Sequence, residues 1–140
     1  MEKRVLNIAK EFSEYPGPRY IQQGESSGEE FYVNLLNPTF AECLNESKQL
    51  ELNLDSSAGY ATSFLDEALG ELVFDFSEKV VREKLVIKSE EEPEWISFME
   101  TETYPQWEKR RLNGDQPKRS EPHNIHYLDP TDNKVKKRYR

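Results

Sequence analysis

Ser63-x-x-Asp66, followed at once by Glu67, is the grouping in this 140-residue chain best suited to chemistry. A hydroxyl at a helix entry accepts a backbone N–H, and acids in the first turn answer the positive end of the helix dipole. Thr62 doubles the hydroxyls at that entry. Plain capping, worth about 1 kcal/mol, is the use these residue types favour. Asp55 ends the strand-like run just before it. A carboxylate there takes a proton, holds a cation, or bonds the backbone of Ser57 in a turn. No second positioned acid or base accompanies it, so the chain reads as a non-enzyme. Arg19, on a Pro-Gly-Pro loop, pairs with an anionic ligand or with a carboxylate of its own domain, and the abundance of acids favours the internal pair.

The remaining reactive side chains offer less. Cys43 has no histidine near it in sequence and reads as a small buried apolar group. His123-x-x-His126 with Asp129 is a weak metal pattern in a segment short of apolar residues. No phosphate-binding loop, dinucleotide glycine pattern or zinc framework is present, so neither cofactor nor metal is expected. The C-terminal cations Lys134, Lys136, Lys137, Arg138 and Arg140 are interleaved with Tyr127 and Tyr139. They suit a solvated tail, docking on a protein, or phosphate contact and stacking on nucleic acid.

Charge divides the chain. Residues 1–108 hold nine Lys and Arg against 23 acids, a net of −14, whereas residues 109–140 hold ten against four, a net of +6. Such an acidic body repels nucleic acid, so a protein is the better-suited partner, and the tail either recruits or folds back. A charged fraction of 33% against 35% apolar implies a small folded body with at least one poorly packed end. No apolar run is long enough to span a bilayer, and the start lacks a signal-peptide core. One cysteine leaves no internal disulfide, and the chain reads as cytoplasmic.

These groups need elements to place them. Lys48 to Asp55 alternates, with Leu50, Leu52 and Leu54 on one side, which predicts a half-buried strand. Leu65, Ala68, Leu69, Leu72, Val73 and Phe76 repeat at helical spacing and predict a helix over 62–76, with Gly70 allowing close approach to a sheet. Val5 to Phe12 fits both periods and is read as an edge strand. Ser27-Gly28-Glu29-Glu30 starts a helix that kinks or restarts at Pro38 and ends near Asn45. Lys84–Lys88 is a short strand, and a last helix from Glu92-Pro93-Glu94 ends or bends at Tyr104-Pro105. The alternation of strand and helix predicts an α/β domain over 1–108, a small sheet with helices mainly on one face. From 109 to 140, scarce apolar residues and recurrent prolines predict a poorly ordered basic tail, flexible or dependent on a partner.

With these segments in place, the chain resembles the STAS-like bacterial domains of unknown function. The residues that carry the likeness are Phe12-Ser13-Glu14-Tyr15-Pro16-Gly17-Pro18-Arg19-Tyr20, Gly24, Ser27-Gly28-Glu29-Glu30-Phe31, Leu54-Asp55 and, above all, Gly59 to Val73. The match spans roughly residues 5–100. The resemblance implies a fold akin to anti-sigma-factor antagonists and the company of histidine-kinase-like ATPases or DNA-binding segments; it implies no activity. In those antagonists a serine at this position accepts phosphate. Ser63 is its counterpart, but Ala61-Thr62 and Phe64 stand where the antagonists carry Asp before the serine and Gly after it. A phosphate there gains from helix N–H groups and is repelled by Asp55, Asp66 and Glu67. The expectation is a regulatory or adaptor module whose Gly59–Glu67 corner reads a protein. Tyr60 and Phe64 are its apolar contacts, Glu67 and Glu71 select charge, and Ser63 is an optional switch. The rival expectation is a nucleic-acid-associated accessory protein of a phage-defence or prophage locus, working through the basic tail.

Overall fold

Leucines at every second position make β2 (Gln49–Asn53) the centre of the sheet: Leu50 and Leu52 are fully buried, and Leu54 just beyond nearly so. The computed structural model describes residues 2–140. In it β2 pairs in parallel with β1 (Lys3–Asn7) on one side and β3 (Leu85–Lys88) on the other. Leu6, Leu52 and Ile87 share one row of the register, and Arg4, Leu50 and Leu85 another. The intervening row of Val5, Glu51 and Val86 points to the opposite face, where Val5 and Val86 are exposed. Parallel strands need crossovers, and the helices of both lie on the leucine face. The expected α/β architecture, with helices mainly on one face, is present.

The doubly periodic segment 5–12 is both things in succession. Strand β1 gives way to one helical turn, α1 (Ile8–Glu11), where Asn7 Oδ1 accepts the Lys10 N–H at 2.9 Å. The first crossover helix starts as expected at α2 (Gly28–Phe31), capped by Ser27 Oγ. It runs through a π turn, Tyr32–Leu36, into α3 (Asn37–Asn45) without a break. The second crossover is α4 (Thr62–Phe76) and α5 (Glu78–Lys84).

After β3 the same device recurs. Helix α6 (Glu94–Phe98) continues through a π turn, Met99–Thr103, into α7 (Tyr104–Asn113). Of the end or bend expected at Tyr104-Pro105, the end is corrected: the helix runs on to Asn113, across the boundary expected near residue 108. Both prolines follow a π turn by one residue: the Asn37 N–H bonds the Tyr32 carbonyl, and the Tyr104 N–H bonds that of Met99. A proline inside an α-helix clashes with the carbonyl four residues back, and widening the preceding turn by one residue lets the helix pass it. Gly70 also differs from expectation: it faces Trp107 of α7 rather than the sheet.

The tail is ordered, contrary to expectation. It forms a hairpin of β4 (Asn124–Asp129) and β5 (Lys134–Tyr139) that lies over α3 and α4. Ile125 is its one fully buried apolar side chain. Composition misled because ion pairs and hydrogen bonds to the body join the few apolar contacts of Ile125, Leu128 and Val135 in ordering the segment.

Candidate functional site

Helix α4 positions almost every candidate residue, and its first turn differs from the expected cap. The N-cap position falls on Ala61, with no side-chain cap. Thr62 and Ser63 therefore lie one and two residues inside the helix, where their hydroxyls cannot cap it. Thr62 is exposed and Ser63 half-buried. Asp66 instead accepts from Arg19 Nη1 at 2.9 Å and from the Trp107 indole N–H at 3.2 Å.

The expected apolar contacts belong to the core. Phe64 has no exposed surface and packs on Phe31, Tyr60 and Phe12 with ring centroids 5.8, 5.9 and 6.3 Å away. Tyr60 is half-buried and donates its hydroxyl to the Leu54 carbonyl at 2.7 Å. Asp55 accepts the N–H groups of Glu90 and Glu91 at 3.1 and 3.0 Å, tying the end of β2 to the loop after β3 rather than to Ser57. What the corner leaves to solvent is Ser56, Ala58, Ala61 and Thr62, joined by Tyr15 at 73% exposure. The Ala58 N–H donates to the Glu14 carbonyl at 2.8 Å and so fixes the Tyr15 loop beside the corner. Tyr15 was missed as a site residue; its signal was an aromatic opening a Tyr-Pro-Gly-Pro turn.

Glu67 and Glu71, expected at the surface, are buried along with Asp75. The three stand four residues apart, one stripe along α4, and Glu29 of α2 adds a fourth buried carboxylate. Arg19 meets Glu67 at 3.0 Å, the internal pair expected for it. Arg119 pairs with Glu71, Arg140 with Asp75, and Arg138 lies 3.6 Å from Asp75. The Tyr32 hydroxyl also donates to Asp75 and accepts from Asn37 Nδ2 at 3.0 Å. Asn37 in turn holds the arm through the carbonyl and N–H of His126, both at 2.9 Å. Glu29 receives the N–H and hydroxyl of Ser120 at 3.0 and 2.8 Å and faces His123 Nε2 at 2.8 Å.

Burial, then hydrogen bonding and repulsion from Glu71, push Glu67 up to about 10. That direction favours a proton on Glu67, whose Oε2, like Oε2 of Glu71, is buried where no basic group reaches it. Burial works against ionisation of Glu29 too, yet the bonds from His123, Ile21 and Ser120 hold it below the usual carboxylate value. Burial pushes the Cys43 thiol up, in keeping with a structural role.

The tail cations are mostly committed. Lys136 bonds Asp129 and Asp132 at 2.6 and 2.9 Å, and Arg138 stacks 4.2 Å over the Tyr127 ring. Lys134 and Lys137 are exposed. His123 and His126 turn to different partners, Glu29 and Asn37, and no group of three His, Cys, Asp or Glu among the described residues is placed to hold a metal. Sequence reasoning missed Glu29, Tyr32, Asp75 and Arg119; the i, i+4, i+8 spacing of the α4 acids was the available signal. No helix among the described residues is long and apolar enough to cross a membrane.

Neither a curated protein nor a solved structure matches the chain. Residues 27–95 match the family described as a STAS-like domain of unknown function (DUF4325). That segment holds α2 to β3, the corner and all four buried carboxylates, and excludes Arg19 and the arm. Over residues 27–95, then, the chain is similar to the STAS-like domains of that family.

Proposed function

We propose that the protein is a non-catalytic regulatory or adaptor module that binds a protein partner at the strand–helix corner. A histidine-kinase-like ATPase is the partner class implied by the resemblance to anti-sigma-factor antagonists. The contact surface is Tyr15, Ala58, Ala61 and Thr62 in place of the buried Phe64, Glu67 and Glu71. The observation that carries this reading is Tyr15, a large side chain left 73% exposed and tethered next to the uncapped start of α4. Exposed tyrosine offers a large amphipathic contact at low cost in side-chain entropy. Thr62 and Ser63 are the switch: a phosphate on either sits among helix N–H groups that no side chain caps. The carboxylate of Asp55 is occupied by two backbone N–H groups, which suits a positioning role better than proton transfer.

The nucleic-acid reading keeps little to work with, since Arg138 and Arg140 serve the chain's own Asp75 and Lys136 its own turn. The test is affinity purification from the source cells with wild type, Tyr15→Ala and Thr62→Arg, read by quantitative mass spectrometry. One protein enriched with wild type and lost with both variants supports the corner. Equal enrichment by all three removes it.

A further inference from the structure

Four carboxylates of α2 and α4 are buried beneath or beside the arm, each at most 4% exposed. Three of them, Glu29, Glu71 and Asp75, meet the arm directly. Of the arm's side chains only Ile125 is both apolar and fully buried. Leu128 and Val135 are only partly buried against the core beside it, and the remaining contacts of both halves are ion pairs and polar hydrogen bonds, which regain hydration when the joint opens. Such a joint opens more readily than an apolar one of equal area and weakens with salt. It is tethered through residues 115–123, which form no helix or strand, after a left-handed Gly114 that ends α7. The fit is incomplete as well: the Nε atoms of Arg119, Arg138 and Arg140 are buried with no acceptor. Finally, the seat lies within the family-matched segment and the arm outside it.

We propose that this acidic seat is a docking groove for an arginine-rich segment of a partner protein, and that the chain's own arm occupies it as a built-in competitor. The occupant is specified by what the seat already holds. Planar guanidinium groups reach Glu71 and Asp75 from one side of α4, and a backbone turn presents N–H and hydroxyl groups to Glu29. This surface is separate from the Tyr15 corner, so either survives the failure of the other.

The test uses the full chain and a synthetic peptide of residues 118–140 as probe. Hydrogen exchange of the wild type is followed between about 0.05 and 0.5 M NaCl. The arm amides, Ile125–Leu128 and Val135–Arg138, should exchange about ten-fold faster at the higher salt while those of β2 do not change. The variant Arg119→Gln with Arg140→Gln, its seat intact and its arm loosened, should bind the peptide about ten-fold more tightly than wild type. Arm amides that exchange only together with β2 at every salt would overturn the proposal, even if the variant fails to fold. Peptide binding no tighter in a folded variant would overturn it too. Dimers of wild type with exchanged arms at raised concentration would give the seat to a second copy and overturn the assignment to a partner.

Discussion

Trp107 lies flat against Gly70: a Cβ built at Gly70 would stand 2.1 Å from Trp107 Cε2 and 2.2 Å from its Nε1. The indole N–H continues past the glycine to Asp66, so the contact also fixes the residue that receives Arg19. Helix propensity favours alanine over glycine by about 1 kcal/mol, but the clash is with a rigid ring packed between two helices. Gly70→Ala should destabilise the fold by about 2 kcal/mol in urea unfolding and shift the tryptophan fluorescence. A stabilised variant would show that α4 and α7 do not meet at this spacing.

Phe64 gives the second prediction. Fully buried among Phe12, Phe31 and Tyr60, it should cost about 3–5 kcal/mol as Phe64→Ala, seen as a large drop in the denaturation midpoint. A surface contact would cost less than about 0.5 kcal/mol.

The Glu67–Glu71 pair predicts a dependence on pH. The folded value for Glu67, about 10, lies above its ordinary 4.5, so between the two the folded chain binds the extra proton. Its contribution is whole below the ordinary value and is lost as pH rises through the folded one. Stability should therefore fall from about pH 6 to pH 9, with a slope of at most about 1.4 kcal/mol per unit. Glu67→Gln should flatten that slope, as read from melting temperature against pH. The same slope in both proteins would place Glu67 in the ionised state.

Tyr32 predicts the worth of the polar layer under the arm. Its buried hydroxyl serves Asp75, the Glu71 carbonyl and Asn37 together. Tyr32→Phe leaves those groups short of a partner and should cost about 1–3 kcal/mol in urea unfolding, with faster exchange at His126. A neutral substitution would mean that water replaces the hydroxyl at no cost.

Much of the framework was legible because single periods wrote it. Leu50, Leu52 and Leu54 alternate without interruption, and Leu65 to Phe76 hold one helical face. Segment 5–12 was ambiguous for a physical reason: strand and helical turn follow one another within eight residues, and each period fits part of it. Pro38 was read as a kink or restart and Pro105 as an end or bend, yet the helix runs on past both, since a π turn that lets a helix pass proline leaves no mark in residue type. The site was less legible than the fold. Glu67, Glu71 and Asp75 have the composition of a solvated face, and the arginines that cover them arrive from 48 or more positions away. Phe64 was misplaced because α4 is covered on most of its circumference, so that no single polar face marks what is exposed.

The seating of the arm on α4 is tested most directly by a double-mutant cycle between Asp75 and Arg140. Stabilities of the wild type, Asp75→Asn, Arg140→Gln and the double variant give the coupling free energy. Seated as described, the pair should couple by about 1–3 kcal/mol, with the double variant less impaired than the sum of the single changes. Additivity within about 0.3 kcal/mol would mean that the arm does not rest on that helix.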